Sequence, residues 1–166
     1  MNTALAPRHN ELISIREATA SDTPVILQLI RELAEYEKLP HEVTATEAGL
    51  AETLFGNRRV AEVLLVEEKG TAAGFCLFFH NYSTFVGKPG LYIEDIFIRP
   101  EHRGKGLGKM LFAHVAGIAR ERDCGRMEWW VLDWNKPAIE FYAGMGAKPM
   151  DEWTTYRLTE EQLAKL

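Results

Sequence analysis

The 166-residue sequence is 46% hydrophobic and 26% charged, ordinary values for a globular domain. Its net charge of −5 and pI near 5.6 exclude the basic profile of a general nucleic-acid binder and suit a cationic substrate. Two cysteines make no disulfide framework and fit a reducing cytoplasm, and no apolar run approaches the roughly 20 residues that span a bilayer. In chain order, residues 1–10 lack a basic region before an apolar core and read as a loose leader. Residues 11–166 read as a single domain without repeats.

The segment "LISIREA" predicts a first strand with Ile13 and Ile15 on one face. Ser21 or Asp22, with Pro24 in the first turn, starts a helix through "VILQLIRELAEYEK". Thr46 caps a shorter helix, "EAGLAETLF", that Gly56 ends. Two strands follow around a Glu-Lys-Gly turn, and "EEK" at 67–69 reads as solvated. "LYIEDIFI" is apolar on both faces and therefore an interior strand. Beyond a glycine-rich loop, an amphipathic helix carries Leu107, Leu111, Val115 and Ile118. "RMEWWVLDW" predicts a strand, "KPAIEFYAGM" a helix and "WTTYRL" a last strand. The fold class is α+β, with a mixed, mostly antiparallel sheet flanked by helices.

The loop "RPEHRGKGLGK" after the interior strand has three readings. A phosphate loop of the Gly-x-x-x-x-Gly-Lys-Ser/Thr type fails, because Met110 follows Lys109 and Arg103 stands at the first glycine. A dinucleotide fingerprint fits poorly, because the glycine spacing is wrong and four residues separate strand from loop. Arg-x-x-Gly-x-Gly, filled by Arg103, Gly106 and Gly108 at a strand–loop–helix junction, fits a pyrophosphate cradle. A tight turn without a ligand is the plainer alternative.

Four segments, "LIRELAEYE" at 29–37, "LYIEDIFI" at 91–98, "VLDWN" at 131–135 and "FYAGMGA" at 141–147, carry a resemblance. Together with the glycine loop they resemble the GNAT acetyltransferase superfamily. Within it they are most similar to the diamine (spermidine/spermine) N-acetyltransferases and their thialysine N-epsilon-acetyltransferase branch. The resemblance implies a GNAT fold, acetyl-CoA as cosubstrate, a small-molecule amine acceptor, a homodimer and a cytoplasmic enzyme without nucleic-acid or membrane partners.

It also implies roles for individual residues. Ile96, Phe97 and Ile98 would pair by their backbone with the pantetheine arm. Arg103, Gly104, Lys105, Gly106, Leu107, Gly108 and Lys109 would hold the phosphates. Asn135, Lys136, Pro137 and Ala138 would complete the coenzyme site, with Asn135 also suited to cap the helix that follows. Glu94 would be the general base, acting through water, with a substrate anchor as the alternative, and Tyr142 the general acid. Tyr36, Glu37, Glu94, Glu128, Trp129 and Trp130 would meet the acceptor. By strand alternation, Asp95 faces away from Glu94.

Other reactive residues read blandly. Cys76 packs in an apolar strand, Cys124 has no evident base, and direct transfer is preferred to a covalent enzyme route. His9, His41, His80, His102 and His114 show no metal-ligand spacing. In the polyamine-acetylating relatives, the resemblance implies, the stretch before the Glu-Asp strand carries an aspartate after its tyrosine. Here Ser83 follows Tyr82, and with "VLDWN" this points to a thialysine- or lysine-like amine over spermidine. Two further alternatives stay open: a true polyamine acetyltransferase, and a catalytically silent acyl-CoA-binding module on the same scaffold.

Overall fold

A computed structural model describes residues 12–166, so the leader assigned to residues 1–10 lies outside the described residues. The chain divides into two compact units, one ending at Trp130 and one from Val131 to Leu166.

The first unit holds a five-stranded sheet in sequential order. Its elements are β1 (Ile13–Glu17), α1 (Thr23–Tyr36), α2 (Glu47–Phe55), β2 (Glu62–Glu68), β3 (Thr71–Ser83), β4 (Lys88–Ile98), α3 (Leu107–Glu121) and β5 (Arg126–Trp129). Strands β1 to β4 pair antiparallel, and β5 joins β4 in parallel. The sheet is mixed and mostly antiparallel, as the sequence leads one to expect.

Local chemistry accounts for the helices. Asp22 accepts from the Thr19 backbone N–H at 2.7 Å, which settles the turn ahead of α1. Thr46 Oγ1 accepts from the Gly49 N–H at 3.1 Å and caps α2. One face of the sheet, through Val63, Leu65, Phe75 and Phe97, packs with Ile26, Leu29 and Leu33 of α1 and Leu54 of α2. The other face carries buried Leu64, Cys76, Phe78, Leu91 and Ile93, and α3 turns Leu107, Leu111 and Val115 inward. Burying each such side chain is worth about 1.5–3 kcal/mol.

β4 crosses from one core to the other within a few residues. Asp95 pairs with Leu77 and Ile93 with Phe78, so Glu94 is an extra residue on β4, a β-bulge. Ile93 therefore lies on the α3 face and Phe97 on the α1 face, although they stand four positions apart and regular alternation would put both on one face. The parallel ladder with β5 ends at Ile93–Trp129, while β4 runs on to Ile98. From Glu94 onward that edge of β4 has no strand partner among the described residues.

The second unit contains α4 (Lys136–Gly144) and the short α5 (Glu160–Leu163). Two expectations need correction. The strand expected over 126–134 stops at Trp129. Residues 153–158, expected as a last strand, form none. The β-formers of "WTTYRL" supply propensity, but a strand exists only where a neighbour completes its ladder.

Candidate active site

The glycine loop is built so that backbone, not side chain, faces outward. Residues 100–102 form one turn of 3₁₀ helix, and Gly104 (φ 77°) and Gly106 (φ 82°) then adopt left-handed conformations. A Cβ at either glycine would meet no atom within 4 Å, so both backbones border open space. Gly106 is the residue before α3, and its carbonyl receives the Met110 N–H at 3.0 Å. The amides of Leu107, Gly108 and Lys109 thus have no acceptor within the helix and point out of its N-terminus with its partial positive charge. Leu107 is buried and anchors this end, while Lys109 is exposed. The set fits a diphosphate.

Two cations assigned to the phosphates are engaged with protein groups. Arg103 donates from Nε to the Ile98 carbonyl at 2.8 Å, and its guanidinium lies 4.5 Å from the Tyr36 ring centroid and 5.6 Å from that of Phe97. Lys105 donates to both carboxylate oxygens of Glu68 at 2.9 and 2.7 Å. The "EEK" turn is therefore not simply solvated. Glu68 also meets His102 Nδ1 at 2.6 Å, and Glu67 accepts from Arg16 Nε at 2.9 Å. The hydrogen bond from Lys105, then that from His102, holds the Glu68 carboxyl below its usual range.

Beside the unpaired edge of β4, three acids approach one another. Glu94, on the bulge, is exposed. Asp95 shares the α1 face with its cross-strand partner Leu77. Burial, followed by the charges of Glu94 and Glu37, pushes its carboxyl up to about 7. Glu37, at the end of α1, is raised by burial. Simple alternation does not describe this point, because the bulge interrupts it. Asp95 is the residue that sequence reading undervalued, and nothing local marks the bulge that places it.

The aromatic residues sort by face. Trp129 meets Phe112 of α3 edge-on at 5.1 Å, on the side of Ile93. Trp130 meets Tyr92 edge-on at 6.1 Å. Glu128, opposite Tyr92, accepts from Asn81 Nδ2 at 3.0 Å and pairs with Arg126 at 2.9 Å. Ser83 is buried, and its Oγ accepts from the Val86 N–H at 3.3 Å to close the hairpin turn. It adds no charge there. Cys76 is buried, which raises its thiol pKa and suits packing. Among the described residues no cluster of metal-ligating side chains occurs.

Within the second unit, Asn135 is buried and its Oδ1 accepts from the Ala138 N–H at 3.4 Å, capping α4, with Lys136 and Pro137 in the first turn. Tyr142 follows Phe141, the two rings 5.4 Å apart, and its carbonyl accepts from the Met145 and Ala147 N–H groups at 3.0 and 3.1 Å.

Residues 26–147 match the family described as Acetyltransferase (GNAT) family. A thialysine N-epsilon-acetyltransferase of Bos taurus is 39% identical over 93% of this chain and 96% of its own length. An L-ornithine N5-acetyltransferase of Arabidopsis thaliana is 38% identical over 93% and 88%. Among solved structures, an integron cassette protein from the mobile metagenome of V. cholerae superposes with a TM-score of 0.79 at 25% identity, over 94% of this chain and 98% of its own.

Proposed function

Since this chain belongs to the GNAT acetyltransferase family and is an enzyme that transfers acetyl to an amine, we propose that its acceptor is a small primary amine on an amino-acid side chain, thialysine- or lysine-like. The observation that carries this reading is the acid group Glu37–Glu94–Asp95 beside the unpaired edge of β4. One set of carboxylates suits a single ammonium group through ion pairing. A polyamine brings further charges, and the buried Ser83 offers them no acid. The thialysine and ornithine named for the two relatives are amino acids ending in a primary amine. The family match runs across the boundary between the two units, which supports reading 11–166 as one domain.

In this reading acetyl-CoA supplies the activated acetyl group. Gly104, Gly106 and the N–H groups opening α3 bind its diphosphate, and the backbone of Ile96, Phe97 and Ile98 takes the pantetheine arm as an added strand. Asn135, Lys136, Pro137 and Ala138 are assigned to the coenzyme on the family resemblance alone. An ammonium titrates near ~10, so it must lose a proton before it attacks. Glu94 accepts that proton through water, and Asp95 becomes the anchor that ionises when the cation arrives. The N–H near Ile96 stabilises charge on the thioester oxygen. Tyr142, at the family's general-acid position, protonates the departing thiolate. The enzyme works as a cytoplasmic homodimer.

The test compares kcat/KM for thialysine, lysine, ornithine, putrescine and spermidine at one pH. We expect the three amino acids to lead. A clear preference for spermidine overturns the acceptor assignment. Tyr142→Phe should lower kcat by about 10²–10⁴ while acetyl-CoA affinity holds.

A further inference from the structure

We propose that Glu68 is a positioning residue for the phosphate-binding loop. Its carboxylate grips His102 and Lys105, which flank Arg103 and Gly104, and so sets the path of the loop amides before the diphosphate arrives. The inference rests on the reading of this loop as the coenzyme's diphosphate site.

The loop needs such a grip. Gly104 and Gly106 stand two residues apart, both with positive φ, and glycine gives up more conformational freedom on ordering than any other residue. Neither glycine has a side chain to pack, and the space beside both is open. Tethers must therefore come from the residues between and before them. On one side, Arg103 Nε binds the Ile98 carbonyl at 2.8 Å. On the other side stands Glu68, the last residue of β2, paired across the sheet with Ile13 and Thr71. The turn behind it is held by Lys69 in a left-handed conformation, whose N–H donates to the Leu12 carbonyl at 2.6 Å. Glu68 is thus a rigid point, and its contacts to His102 (2.6 Å) and Lys105 (2.7 Å) bracket the loop.

Burial separates this role from simple charge pairing. The Glu68 and His102 side chains are 15% and 17% exposed, whereas Lys105 is 47% exposed. The Lys105 pair alone is screened and contributes little to stability. The carboxylate also opposes a nearby phosphate by its charge, while positioning favours phosphate by sparing the loop its ordering cost on binding. These two effects have opposite signs, so one measurement distinguishes them.

Glu68→Ala and Glu68→Gln are compared with the wild type by calorimetric titration with CoA and by kinetics with two donors. With acetyl-CoA, Glu68→Ala should raise Kd and KM about 5- to 10-fold, with kcat within about twofold, and Glu68→Gln, which keeps hydrogen-bonding capacity, should recover part of the loss. With S-acetylpantetheine, which lacks the diphosphate, the variants should match the wild type. Unchanged or tighter binding of CoA by the variants overturns the inference, as does an equal loss with both donors, which would mark Glu68 as merely structural. If Glu68→Ala does not fold, Glu68→Gln carries the same comparison. A wild type that binds no CoA overturns the coenzyme reading itself, and this inference with it.

Discussion

Asp95 concentrates the electrostatics of the site in one side chain. Its own burial, followed by the charges of Glu94 and Glu37, favours the protonated acid, up to about 7 from an ordinary value of 3.8. The linkage sign follows directly. Between about pH 4 and pH 7 the folded protein holds a proton that the unfolded chain releases, so stability falls as pH rises through that window and levels off above it. Asp95→Asn removes the ionisation and with it the penalty. The variant should therefore gain on the wild type by roughly 2–4 kcal/mol at pH 8 relative to pH 4, read from urea midpoints at the two pH values. An equal difference at both would mean that Asp95 titrates normally. If Asp95 anchors the ammonium, the same variant should raise KM for the amine more than it lowers kcat, whereas Glu94→Gln should act mainly on kcat.

At the scale of elements, the loop and α3 make the sharpest prediction. Gly106 has a left-handed backbone bordering open space, so a side chain there strains φ by roughly 1–2 kcal/mol but meets no neighbouring atom. Gly106→Glu should fold and lose acetyl-CoA affinity, because a carboxylate then stands among the amides at the start of α3. Gly106→Asn tolerates the backbone and carries no charge, so it should bind much better. Equal affinity for the two variants would remove the phosphates from this loop. The loop and the helix starts were legible in the sequence because their signals are local: Thr46 three residues before its partner amide, Gly106 one before its helix. The bulge at Glu94 was not, since it exists only relative to Leu77 and Phe78 on the opposite strand. Glu68 was misread as solvated for the same reason, its partners lying 34 and 37 residues away. Residues 153–158 erred in the other direction: the strand pattern is present, but it has no strand neighbour among the described residues.

For the whole molecule, that same segment bears on assembly. Trp153 and Tyr156 are 71% and 92% exposed, and Leu158 is also exposed. Large apolar side chains left exposed in a segment outside any helix or strand are costly to leave in water, and they invite burial against another chain. A second copy is the partner always present at matching concentration, which accords with the homodimer proposed above. Light scattering should then report about twice the 18.8 kDa of one chain. Trp153→Glu with Tyr156→Glu should halve that mass, since two buried carboxylates at a two-fold interface would each recur on both subunits. Far-ultraviolet circular dichroism should stay unchanged, because neither residue belongs to a helix or strand. A dimer that survives the double substitution places the interface elsewhere, and a wild type of single-chain mass at micromolar concentration refutes the homodimer.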